Sequence, residues 1–108
     1  MQAPSTGKDV VIGIDAGTSV IKAVAFDLSG RQLAVASVLN RYSHGPDGAA
    51  TQSLEQTWAD CVEALRELVA GTPGLAVRVA ALSVTGQGDG TWLVGAGCLL
   101  YTSDAADE

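Results

Sequence analysis

The chain has 108 residues, 47% of them hydrophobic and 17% charged, with a formal net charge of −6; this bounds it to one ordinary globular domain at most. No basic cluster accompanies the acidity, which argues against a nucleic-acid surface, and no apolar run approaches the roughly 18 residues that a membrane helix needs. Its two cysteines, Cys61 and Cys98, are too few for a disulfide framework and show no CxxC spacing for a metal.

Residues 1–8 read as a polar lead-in, and MQAPSTGKD holds no apolar signal-peptide core, so a cytoplasmic setting is expected. Val10 to Ile14 is a β-branched apolar run that reads as a buried strand ending in Asp15. Ala16 to Ser19 is a turn, and Val20 to Phe26 a second strand. Asp27-Leu28-Ser29-Gly30 supplies turn chemistry, and Gln32 to Leu39 is a third strand. Short turns between three strands predict an antiparallel meander.

Residues 40–52 read as loop. Ser53 caps the helix that follows, with Gln56 in position to complete a capping box. Leu54, Trp58, Cys61, Val62, Leu65, Leu68 and Val69 fall at helical spacing and predict one buried stripe; Gly71 and Pro73 end the helix. Val77 to Val84 reads as a fourth strand, parallel to the first because the helix serves as its crossover. A glycine-rich turn, Thr85 to Gly90, leads to a fifth strand over Thr91 to Val94. The order predicts an α/β layer fold.

The last segment, CLLYTSDAADE (Cys98 to Glu108), breaks the pattern. It resembles the conceptual translation of a transposase adapter used in preparing sequencing libraries. The expected organisation is therefore a lead-in over 1–8, a partial domain over 9–97 and a non-native tail over 98–108. The competing reading is a native polar tail with a short apolar strand, CLLY.

Two turns carry chemistry. In the first, Asp15 ends a buried strand, Gly17 lets backbone N–H groups approach an anion without a Cβ in the way, and Thr18 and Ser19 add hydroxyl donors. Lys22 adds a cation, and Asp15 suits Mg²⁺, which favours oxygen ligands and keeps several waters. A plain hairpin, with Asp15 as a turn residue and Lys22 as a solvated charge, is the alternative. The second turn, Thr85-Gly86-Gln87-Gly88-Asp89-Gly90-Thr91-Trp92, follows the carboxyl end of a parallel strand, where α/β sheets bind ligands. Gln87 offers donors and an acceptor and Asp89 acceptors only, a pair suited to the hydroxyls of a sugar or polyol. Trp92 reads as packing, and His44, in a polar loop without partners, carries no assigned role.

The run IGIDAGTS, followed by a strand ending in Phe26-Asp27, resembles the first phosphate motif of the actin-like ATPase superfamily, and within it the FGGY carbohydrate kinases. The Gln87–Trp92 segment resembles the sugar-contact loop of that family, in its erythritol- and xylulose-kinase-like members. Gly88 stands where glycerol kinases carry an arginine, which argues against glycerol as main substrate. Ala50-Thr51-Gln52-Ser53 departs from the family's usual Val-Glu-Gln-Asp and keeps only Gln52 and a capping residue.

The resemblance implies a ribonuclease H-like domain fragment: a three-strand antiparallel meander, a crossover helix, then a parallel strand. It implies ATP and Mg²⁺ as cofactors, with Asp15, Gly17, Thr18, Ser19 and Lys22 on the nucleotide, Asp15 on the metal, and Gln87 and Asp89 on a small sugar or polyol. It admits a homodimer as the assembly of the intact enzyme and implies neither nucleic-acid nor membrane partners. The family's Asp base and adenosine-binding parts are expected beyond this chain, so no catalytic base is assigned within it and the chain alone is expected to be inactive. Two other functions stay open at this level. One is an actin-like ATPase acting as a nucleotide-switched assembly or chaperone protein; the other is a binding module without catalysis.

Overall fold

A computed structural model describes residues 7–40, 43–45, 50–86, 92–94 and 99–102. Strands β1 (Val10–Ala16), β2 (Val20–Asp27) and β3 (Gln32–Leu39) form the predicted antiparallel meander. The β2–β3 turn is built by Asp27, whose Oδ1 accepts from Ser29 N, Ser29 Oγ and Arg31 N at 2.9, 2.6 and 2.9 Å. Gly30 completes it at φ 89°, a backbone conformation that disfavours a Cβ. These bonds hold the Asp27 carboxyl below the usual carboxylate range, the Ser29 hydroxyl first among them.

Helix α1 (Leu54–Gly71) follows a short strand, β5 (Ala50–Ser53). Ser53 Oγ accepts from Gln56 N at 3.2 Å, the predicted cap. The reciprocal half of the box does not form, because Gln56 Nε2 donates to Asp60 instead. After the helix, Leu75 sinks into the core at 1% exposure, and a single 3₁₀ turn, Ala76–Arg78, precedes β6 (Val79–Gly86). The fourth strand thus starts and ends two residues later than predicted, because the backbone spends Val77 and Arg78 on that turn.

The main sheet has four strands in the order β3-β2-β1-β6, with β6 parallel to β1. Helix α1 covers one face only. Val10, Ile12 and Ile14 of β1 and Ile21, Ala23 and Ala25 of β2 are buried there with Ala64 and Leu68 of the helix. The alternating strand residues face the other way, following the period of two. Small alanines on β2 and β3 let the helix approach, and its contact line runs through Ala64 and Leu68. Trp58 therefore leaves the predicted stripe and is 73% exposed. Cys61 stays half-buried against the core, and burial pushes its thiol up, away from reactive thiolate.

At the amino-terminal end of the sheet, Arg78 forks onto Asp9, with Nε–Oδ1 at 2.9 Å and Nη2–Oδ2 at 3.0 Å. The fork joins the starts of β1 and β6 and holds the Asp9 carboxyl below its usual range.

A second sheet has the order β4-β5-β8-β7, with β4 at Ser43–His44, β7 at Trp92–Val94 and β8 at Leu99–Thr102. Two short strands thus lie inside the stretch predicted as loop. β8 belongs to the tail segment and pairs with β5 and β7; a short apolar run of this kind readily adds to open strand edges. Among the described residues no helix is long and apolar enough to cross a membrane.

Candidate active site

Asp15, Gly17, Thr18, Ser19 and Lys22 lie together at the carboxyl end of β1. Asp15 pairs with Lys22 on β2 and with Thr85 on β6, and Lys22 pairs with Ser37 on β3. Laterally paired residues share a face. Ser37, Lys22, Asp15 and Thr85 therefore form one polar row across all four strands, on the face that α1 leaves open. All four are exposed. The next row toward the strand starts is Val35, Val24, Gly13 and Ser83, and the Phe26 ring lies beside Gly13. The polar row thus borders an apolar floor.

The Ala16–Ser19 turn rises directly from this row. A Cβ on Gly17 would meet Val20 O at 2.6 Å and come within 4.0 Å of Asp15 Oδ1. Glycine is required there by close approach of backbone, and the Asp15 carboxylate lies against the same turn. Thr18 is half-buried and Ser19 exposed. The side chains of Asp15 and Lys22 form neither a hydrogen bond nor an ion pair with another described residue, so both charged groups remain available to a ligand.

Gln87 and Asp89 lie outside the described residues. Gly86, which immediately precedes them, pairs with Ala16 and approaches its carbonyl. β6 therefore ends beside the first motif.

The donor set fits one hydrated Mg²⁺ together with a phosphate. The cation needs one or two carboxylates and completes its shell with water and phosphate oxygens; Asp15 is an exposed carboxylate of that kind. No group of three or more His, Cys, Asp or Glu among the described residues forms an all-protein metal cage.

Ser37 and Thr85 join the site only through register. Asn40, at the start of the stretch that reads as loop, joins it through hydrogen bonds instead. Asn40 is 7% exposed, its Nδ2 donates to Gly17 O at 2.7 Å, and its backbone N–H donates to Ser19 O at 2.9 Å. The one signal available from sequence was a polar amide directly after an apolar strand.

The four-stranded mixed sheet with its crossover helix is the architecture of the actin-like ATPase fold in its sugar-kinase form. The chain superposes on a crystal structure of xylulose kinase from Rhodospirillum rubrum with a TM-score of 0.72 and 27% identity, over 87% of this chain and 20% of that one. A kinase of Brucella ovis, described as a xyloylose kinase, gives 0.73 and 25% identity over 84% of this chain and 19% of that one. Residues 10–97 match the model of the FGGY family of carbohydrate kinases, N-terminal domain, and the chain belongs to that family. In sequence it is 65% identical over 95 residues to erythritol kinase of Brucella abortus, which covers 88% of this chain and 18% of that relative. It is 33% identical over 105 residues to autoinducer-2 kinase of Escherichia coli, 95% of this chain and 18% of that relative. The chain thus spans about a fifth of the length of the relatives it matches.

Proposed function

We propose that the chain is the ATP·Mg-facing part of a kinase that moves the γ-phosphoryl group of ATP to a hydroxyl of a small polyol or sugar. The observation that carries this reading is the exposed polar row, with Asp15 and Lys22 unpaired beside a turn where Gly17 admits no side chain. The 65% identity to an erythritol kinase supports a short polyol as acceptor, and Gly88, in place of the arginine of glycerol kinases, disfavours glycerol.

In this mechanism most of the catalysis is positioning and charge stabilisation. The Thr18 and Ser19 hydroxyls and the turn's N–H groups donate to phosphate oxygens. Lys22 offsets negative charge on the phosphates across the strand pair. Asp15 would hold Mg²⁺ through its waters; when bound, the cation neutralises charge on the phosphate oxygens. Gln87 and Asp89 orient the acceptor hydroxyls. The proton acceptor and the adenosine contacts belong to parts of the enzyme outside these 108 residues. The chain alone therefore binds nucleotide weakly and does not turn over. Residues 98–108 are left outside the functional domain, and the family match stops at residue 97. A cytoplasmic location suits such an enzyme.

The test is a panel of four- and five-carbon polyols, ketoses and glycerol, offered with ATP·Mg to the intact kinase that carries this domain. Phosphorylation of a tetritol above glycerol supports the reading. ATP hydrolysis without transfer to any acceptor would refute it, as would turnover by the 108-residue chain.

A further inference from the structure

We infer that Asn40 is a positioning residue of the phosphate turn, the clamp that aims the turn's N–H groups at the nucleotide; this rests on the kinase reading above. Asn40 follows the last residue of β3 and reaches the turn from both of its own amides. The backbone N–H takes Ser19 O at 2.9 Å, and the side-chain Nδ2 takes Gly17 O at 2.7 Å. Only the Nδ2 edge of the side chain can face the Gly17 carbonyl, because two carbonyl oxygens would repel.

The consequence follows from peptide geometry. No peptide among the described residues is cis, and in a trans peptide the C=O and N–H point in opposite directions. Drawing Gly17 O toward Asn40 therefore turns the Thr18 N–H the other way, away from the core. In the kinase reading, Thr18 N–H is one of the turn donors offered to phosphate. The residue that sets its direction lies 23 positions beyond Gly17 in sequence, just past the end of β3.

Burial argues that the contact is specific. Asn40 is 93% buried, and its Oδ1 is buried without a hydrogen-bond partner among the described residues. An uncompensated buried amide oxygen is unfavourable, and an apolar side chain would cap β3 more cheaply. The bond from Nδ2 to Gly17 is what an apolar residue would lose. Asn40 also stands outside the row that touches ligand, so its effect passes through Gly17 and Ser19.

Asn40→Asp tests this, since it keeps the shape and removes the donor. In the 108-residue chain, ¹⁵N order parameters of the Thr18 and Ser19 amides should fall from the rigid range, about 0.85, to below about 0.6. The β1 and β2 amides, Ile14 and Ala23 among them, should stay rigid. In the intact kinase the same change should raise the KM for ATP by roughly tenfold or more, the size seen when a residue that orients a ligand-binding group is removed, with the KM for the polyol unchanged. If Asn40→Asp does not fold, Asn40→Ser, whose hydroxyl is too short to reach Gly17 O, is read in the same way. A turn that stays rigid overturns the proposal, and so does a loosened turn with an unchanged KM for ATP. Should the unmodified intact kinase phosphorylate no polyol, the kinase reading fails, while the order parameters still decide whether Asn40 fixes the turn.

Discussion

The two faces of the main sheet are built from the same strands and do opposite things. On β1, Val10, Ile12 and Ile14 face the helix and are buried, whereas Val11, Gly13 and Asp15 face away. On β2, Ile21, Ala23 and Ala25 pack under α1, while Lys22 points to the open side. The covered face holds the fold together; the open face presents the chemistry. Because the strand period is two, structure and function are separated residue by residue. A one-residue slip in register would bury Asp15 and Lys22 and expose Ile14 and Ile21. The core that fixes the register therefore also fixes which charges lie on the open face.

The contrast can be broken from the covered side first. Ile21 is fully buried, and Ile21→Ala should cost about 2–5 kcal/mol, the usual range for such a cavity. Urea denaturation of the 108-residue chain measures it, and a loss below ~1 kcal/mol would show that α1 does not seal this face. Gly17→Ala acts at the junction of the two faces, where the new Cβ would meet Val20 O at 2.6 Å. The turn must shift, at an overpacking cost of about 1–3 kcal/mol, and the KM for ATP of the intact kinase should rise. Wild-type affinity in this variant would remove Gly17 from the site. Ser53→Ala removes the cap of α1 and should cost about 1 kcal/mol, without changing affinity for ATP.

The smallest effect is that of pH. The Asp9 and Asp27 carboxyls are lowered in the folded chain, by Arg78 and by Ser29 with Arg31 respectively. Their contribution is present above the unfolded-state value, about 4, and is lost as pH falls through the lower folded values. Both groups are exposed, so solvent screening keeps it modest. Thermal midpoints recorded between pH 7 and 3 should decline at the acid end, and Arg78→Ala should flatten part of the decline. An unchanged slope would mean that the Asp9–Arg78 fork adds nothing.

What could be read from sequence was local. The three-strand meander, the capped helix and the parallel strand are written in alternation, turn residues and caps within a few positions of each other. The grouping of Asp15, Gly17 and Lys22 around one turn was legible for the same reason. The misses are non-local. Trp58 fits the helical period, yet it lies about 100° around the helix from its neighbour Thr57, and the alanines of the sheet decide which of these faces inward. β5 was hidden in a polar stretch because its partner β8 lies some fifty residues on, and β4 forms only by pairing with β5. Ser37 and Thr85 reach the site through strand register, and Asn40 through hydrogen bonds to a turn 21–23 residues earlier, which no single segment carries. Gln87 and Asp89 lie outside the described residues, so their place in the site rests on the motif and on Gly86 beside Ala16.

The most direct measurement is Asp15→Ala in the intact kinase, with turnover and thermal midpoint recorded on the same preparation. Asp15 is exposed and free of ion pairs among the described residues. Turnover with ATP·Mg and polyol should fall on the order of 100-fold or more, as when a preorganised charge-stabilising group is removed, while the thermal midpoint stays within about 1 °C. Full turnover would contradict the assignment of Asp15 to the nucleotide. A midpoint lowered as far as in Ile21→Ala would contradict the division of the sheet into a structural and a chemical face.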